Sequence, residues 1–149
     1  MNELNLPSYD VSVRGLRERA EIFDFLRRKF VALTPEEWVR QHFTHWLVDQ
    51  KGYPKGLLGN EIALTCGDKT LRCDSVLYNK EAAPLMIIEY KAPTVPVTQR
   101  VFSQISVYNL LLHVDYLVVS NGLQHYCCRM DYERQTYAFL EGIPDYGEL

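Results

Sequence analysis

Hydrophobic residues recur along the chain with two different periods, and the switches between them mark out the elements. In residues 34–52, TPEEWVRQHFTHWLVDQKG, the apolar positions Val39, Phe43, Trp46 and Leu47 fall at helical spacing. Thr34 suits the N-cap, Pro35 suits the first helical position, and Glu37 stands where it can close a capping box. Gly52 and Pro54 stop the helix. Strand patterns follow at 61–66 (EIALTC), 71–78 (LRCDSVLY) and 85–92 (LMIIEYKA). The last of these is apolar on both faces, which predicts a central position in its sheet. Residues 98–113, TQRVFSQISVYNLLLH, return to the helical period through Val101, Ile105, Tyr108 and Leu112, with Thr98 as N-cap. Strands are expected again at 115–121, 123–130 and 136–140. Residues 16–33 fit two patterns. Leu16, Ala20, Phe23, Leu26 and Phe30 could line one helix face, or AEIFD and KFVAL could be two strands around a FLRR turn. The β-rich second segment favours the hairpin.

This order predicts an α/β fold, a mixed central β-sheet flanked by helices. The 149 residues suit one domain spanning 1–149, with its core at about 20–144 and both ends expected to fray. Apolar residues make up 47% and charged residues 23%, and no apolar run nears the ~18 residues of a membrane helix, so no membrane partner is expected. The first ten residues lack the basic-then-apolar layout of a signal peptide. Cys66, Cys73, Cys127 and Cys128 contain no CxxC pair, and adjacent cysteines on a strand point to opposite faces. A disulfide framework or zinc knuckle is therefore disfavoured, and a reducing, cytoplasmic location is expected. The net charge of −3 argues against coating nucleic acid by bulk charge, although residues 14–29 are locally basic.

One stretch stands out chemically. The apolar run Leu85, Met86, Ile87, Ile88 ends in Glu89-Tyr90-Lys91, and Asp74 lies in the preceding strand across a short turn. Antiparallel neighbours run ~4.8 Å apart, so Asp74 and Glu89 can share one divalent cation. Glu89 and Lys91 are two apart and share a face, while Tyr90 points away and leaves its backbone carbonyl for the same ion. An all-oxygen donor set suits Mg²⁺ or Mn²⁺ rather than zinc. Such an ion would polarise a phosphodiester and acidify a water, with Lys91 orienting or deprotonating that water. The bland alternative is a surface ion pair between Glu89 and Lys91.

Asp74 followed by Glu89-x-Lys91 resembles the core of the PD-(D/E)xK nuclease superfamily. TPEEWVRQHF, GYP, RCDSVLY, IIEYKAP, the helix carrying Gln104 and Tyr108, and YLVVSNGLQHYCCRMD more narrowly resemble the N-terminal nuclease domain of type I restriction enzyme R subunits, in its stand-alone form. The resemblance covers about residues 20–144. It implies a restriction-endonuclease-like fold and Mg²⁺-dependent endonuclease cleavage of DNA in a restriction-modification setting. It assigns Asp74 and Glu89 as metal ligands and Lys91 as the catalytic lysine. It adds Glu37 on the first helix to the metal shell, with Glu36 as substitute, and gives Gln104 and Tyr108 a role in positioning the lysine or a phosphate. Cys73 stands where the superfamily pattern has proline. The chain has no GxxxxGK[ST] loop, so the domain is expected either to stand alone or to work with a translocating motor on another chain, and a specificity subunit is a further candidate partner. The alternative is a nuclease-fold DNA-binding or regulatory module that needs such a partner to cleave.

Other features carry less. Glu37 is fully explained as a capping partner of Thr34. His42 and His45 sit three apart on the first helix, but aromatic packing or solvent exposure explains them better than a metal. Cys127 and Cys128 read as small strand residues with inert thiols.

Overall fold

In the computed structural model, residues 3–149 are described, apart from the side chain of Tyr108. The ambiguous segment 16–33 is the hairpin: β2 (Glu21–Asp24) pairs antiparallel with β3 (Lys29–Ala32), and the two-residue strand β1 (Val13–Arg14) joins the far side of β2. Asp24 builds the turn, its Oδ1 accepting from the backbone N–H groups of Leu26 and Arg27.

Helix α1 (Pro35–Gln50) starts at Thr34, whose hydroxyl accepts from the Glu37 N–H at 3.0 Å. The N-cap therefore forms as expected. The Glu37 carboxylate turns elsewhere, to Arg27, Arg40 and Gln41, so the reciprocal half of the capping box is replaced.

Six strands form the main sheet, in the order β4 (Leu58–Cys66), β5 (Lys69–Tyr78), β6 (Pro84–Tyr90), β7 (Tyr116–Ser120), β8 (His125–Asp131) and β9 (Thr136–Phe139). All pairs are antiparallel except β6 with β7, which helix α2 (Gln99–Leu112) links by a crossover. The α/β class and the mixed sheet thus agree with the sequence pattern.

The two faces of the sheet bury separate cores. Val39, Phe43 and Leu47 of α1 pack with Leu77, Met86, Ile88, Val118 and Cys127. Phe102 and Ile105 of α2 pack with Val76, Ile87, Leu117, Val119 and Cys128. Because neighbouring strand residues point to opposite faces, β6 must be apolar on both, which is why LMII reads as an unbroken run. Cys127 and Cys128 fall on opposite faces for the same reason.

At both ends, where fraying was expected, the described residues make contacts with the rest of the fold. Ile143 is buried, the Tyr53 hydroxyl donates to the Pro144 carbonyl at 2.9 Å, and the Tyr146 N–H donates to the Lys51 carbonyl at 2.9 Å. Residues near the N-terminus are also held: the Asn5 N–H donates to the Gly122 carbonyl at 2.8 Å, and Tyr9 stacks on His45 at 3.7 Å. A charge count sees only acids in 141–149 and misses the apolar anchors Ile143 and Tyr146 that dock them. No helix among the described residues is long and apolar enough to cross a membrane.

Candidate active site

The ladder between β5 and β6 ends at Ser75↔Ile88, and beyond it the two strands part. The Asp74 carboxylate fills the gap, its Oδ2 accepting from the Tyr90 N–H at 2.9 Å. On the other flank the Lys91 N–H donates to the Ser120 carbonyl, so the chain leaves β6 still pinned to β7. Glu89 comes in beside Asp74, within hydrogen-bonding reach of its carboxyl group. Asp74, Glu89, Tyr90 and Lys91 line one cavity of about 340 Å³, together with Thr34, Glu36, Glu37, Arg40 and Glu61. The cavity thus lies outside the carboxyl end of β6, at the strand whose neighbours change from antiparallel to parallel.

Charge dominates this cavity. Burial, the Asp74 charge and the hydrogen bond to Asp74 push the Glu89 carboxyl up to about 9, against smaller opposing pulls from the Asp74 backbone and from Lys91. Burial and the same two carboxyls push the Cys73 thiol up to about 12. Tyr90 points its ring the other way, against Phe43 at 5.8 Å, and its hydroxyl donates to Ser75 Oγ at 2.9 Å.

Glu37 reaches the cavity wall, but its carboxylate is already engaged. Arg40 binds it through Nε at 2.9 Å and Nη2 at 2.5 Å, Arg27 Nη2 adds a contact at 2.7 Å, and Gln41 Nε2 adds one at 3.0 Å. Burial pushes this carboxyl up, yet the bonds from Arg40 and Gln41 and the charges of Arg40 and Arg27 outweigh it and hold it below the usual glutamate range. Glu37 is therefore an anchor for arginines, and no lone pair directed at the Asp74–Glu89 pair needs to be invoked for it. Glu36 is exposed at the rim. Gln104 is not brought into the cavity. Helix α2 buries Phe102, Ile105, Ser106 and Asn109, and at 3.6 residues per turn that leaves Gln104 exposed on the outer side. The reading of Tyr108 depends on a side chain outside the described residues.

Arg40, Glu61, Asp24 and Asn60 are site-related residues that sequence reasoning missed. Arg40 is buried, and its Nη1 donates to Glu61 Oε1 at 2.8 Å and to the Asp74 carbonyl at 2.9 Å. A second path runs beneath the strands: Tyr90 hydroxyl to Ser75, Ser75 hydroxyl to Asn60 Oδ1 at 2.6 Å, and Asn60 Nδ2 to Asp24 Oδ2 at 3.0 Å. Arg27 also donates to Asp24 Oδ2, which closes a ring back to Glu37 and Arg40. One signal for Arg40 was available, a charged residue on the apolar side of α1 next to Val39 and Phe43. The other three carry none.

Among the described residues, no three His, Cys, Asp or Glu side chains gather as a metal cluster. The protein side chains offer a pair of carboxylates, to be completed by main-chain oxygen and water. That fits Mg²⁺, which keeps several waters and takes one or two carboxylates, and it does not fit structural zinc. His42 and His45 belong to packing: His42 Nδ1 meets the Trp38 carbonyl at 2.8 Å, and His45 lies between Tyr9 and Phe25. A larger hollow of about 440 Å³ between α2 and β9, lined by Phe102, Phe139 and Tyr126, holds no paired carboxylates.

Among solved structures, the chain is similar to a fragment described as an HsdR subunit of a type I restriction enzyme from Vibrio vulnificus YJ016. The TM-score is 0.54 at 21% identity, over 78% of this chain and 24% of that one. At this identity the likeness establishes the fold, and the chain spans about a quarter of the length of the fragment it matches. No curated protein matches the chain. A family model described as type I restriction enzyme R protein N terminus (HSDR_N) matches residues 35–144. The matched stretch runs from α1 through β9 and contains the whole Asp74–Glu89–Lys91 group, and the chain belongs to this family of type I restriction enzyme R-protein N termini.

Proposed function

We propose that this restriction-enzyme nuclease-type domain hydrolyses DNA phosphodiester bonds with the help of Mg²⁺ or Mn²⁺. The observation that carries the reading is the forced proximity of two carboxyl groups at a partly closed strand exit. Burial and the Asp74 charge raise the Glu89 carboxyl to about 9, the signature of a site short of positive charge. Asp74 and Glu89 would hold the ion, with the Tyr90 carbonyl and water completing it. When bound, the ion supplies electrophilic activation of a phosphate and acidifies a water.

The chain's own residues do the rest. The Tyr90 N–H fixes one Asp74 oxygen, which leaves the other free of that bond in a residue that lines the cavity. Lys91, which lines the same cavity, would bond a phosphate oxygen and take part in moving the proton of the attacking water. The acidic wall repels phosphate until its charge is compensated, so substrate and cation are expected to bind with mutual support. DNA is the partner this chemistry needs.

Purified protein incubated with supercoiled plasmid and Mn²⁺ or Mg²⁺ tests the reading. Nicking is expected for the unaltered protein and is expected to be lost in Asp74→Ala and Lys91→Ala. If Lys91→Ala cuts as well as the unaltered protein, the lysine assignment is wrong. A second reading has one observation behind it, that the chain spans only 24% of the HsdR fragment it resembles. In that reading the domain binds DNA and cuts only together with a motor or specificity subunit. DNA binding without nicking would favour it.

A further inference from the structure

The pairing of β4 with β5 is interrupted at a single step. Asn60 pairs with Ser75 and Ile62 with Cys73, which leaves Glu61 opposite Asp74 and out of the ladder. Glu61 has φ +55°, a left-handed conformation that costs free energy for a side chain with a Cβ. The break in the sheet therefore falls opposite the aspartate on which the site depends. Arg40 spans the break. It is 7% exposed, grips Glu37 through Nε and Nη2, and through Nη1 reaches both Glu61 Oε1 and the Asp74 carbonyl. Neutralising a buried guanidinium needs only the bidentate Glu37. The bonds to Glu61 and to the Asp74 main chain exceed that need, and they act on the residue whose side chain faces the cavity.

We propose that Arg40, seated by Glu37 and Glu61, is a positioning residue that fixes the Asp74 main chain and so aims the Asp74 carboxylate at the cavity. A planar fork with five N–H donors serves three partners at fixed angles, whereas a lysine ammonium on a flexible stem cannot. The geometric claim stands without metal chemistry. Its functional consequence rests on the metal-assisted reading above.

The test uses the full chain with Arg40→Lys, which keeps the charge, and Glu61→Ala, which cuts one anchor and leaves Arg40 paired with Glu37. Metal-free amide exchange is read at Tyr90, whose N–H donates to Asp74, and at Lys91, whose N–H donates to Ser120 and serves as internal control. Exchange at Tyr90 is expected to quicken by about tenfold in both variants while Lys91 is unchanged, and Mn²⁺ affinity by calorimetry is expected to fall by about 10–100-fold. In an Asp74→Asn background, Arg40→Lys is expected to have no further effect on Mn²⁺ binding, because it acts through Asp74. A general loss of stability would move both amides together and overturn the proposal, as would unchanged exchange at Tyr90. If Arg40→Lys fails to fold, Glu61→Ala alone decides by the same comparison. If the unaltered protein binds no Mn²⁺, the metal-assisted reading falls, and the amide comparison still decides this one.

Discussion

Replacing Glu89 by Gln should make the metal-free protein more stable. Burial and the Asp74 charge push this carboxyl up to about 9, against 4.5 for an ordinary glutamate. The sign follows from linkage. A group whose folded value is raised contributes stability fully present below the unfolded value, and that stability is lost as pH rises toward the folded value. At pH 7 the chain is 2.5 pH units above the ordinary glutamate value of 4.5, and at about 1.4 kcal/mol per unit the burden is about 3 kcal/mol. Water at the open mouth screens part of this, leaving about 2 kcal/mol. Glutamine keeps the shape and can still donate to Asp74 without carrying charge. For a chain of this size, about 2 kcal/mol corresponds to a rise of about 4–8 °C in Tm. The assay is thermal unfolding in EDTA across pH 4 to 9. The gain of Glu89→Gln should be absent below about pH 4.5 and grow steadily up to about pH 9. Added Mg²⁺ should raise the Tm of the unaltered protein and not of the variant, so the two converge. If Glu89→Gln is no more stable than the unaltered protein at pH 7 in EDTA, the carboxyls do not repel each other and the case for a cation there collapses.

Three further outcomes are expected. Gly122 has φ +84°, and a Cβ there would come within 2.7 Å of a Leu4 methyl and 3.1 Å of a Val39 methyl, so Gly122→Ala should cost about 1–2 kcal/mol by denaturant unfolding and loosen residues 3–12 to protease. Burial holds the His42 and His45 imidazoles below their ordinary value, so stability is lost as pH falls through about 6.5; measured in Glu89→Gln, to remove the opposing carboxyl, Tm should fall from pH 6.5 to 5, and His45→Phe should reduce the slope. Burial pushes Cys73, Cys127 and Cys128 up to about 12 while Cys66 is half-exposed, so a thiol reagent at pH 8 should label one cysteine quickly in the native protein and four in denaturant.

The parts of this fold that the sequence disclosed are those set by local periodicity. Val39, Phe43 and Leu47 announce α1 because each lies on one stripe, and LMII announces a central strand because both its faces are covered. The pairing of Asp74 with Glu89 was legible too, since a short turn between strands fixes which residues meet. The reason they meet was not. By alternation alone Asp74 and Glu89 should simply share a face, whereas their convergence comes from strands that separate and a carboxylate that bonds the Tyr90 amide. What failed to show was contact between distant segments. Glu37 read as a cap because Thr34 is three residues away, and nothing near it in sequence reveals that Arg27 and Arg40 will claim it. The left-handed Glu61 was invisible for a related reason: a glutamate does not advertise such a conformation as glycine would. The role for Gln104 came from the family resemblance alone, and local sequence does not show how its helix turns: Phe102 and Ile105 set that facing, and Gln104 lies exposed.

The ring of polar contacts that leaves the first hairpin through Asp24 and Arg27 bears on where this unit can be cut. A version trimmed to residues 35–144 would retain every carboxylate at the strand exit. It would lose the acceptor for Asn60 and one of the two cationic partners of Glu37. It would also lose the Pro144 carbonyl's neighbours at residues 145–149 that cover Tyr53. Such a fragment carries the recognisable signature while lacking its foundations, and its inactivity in a test tube would say nothing about the intact chain.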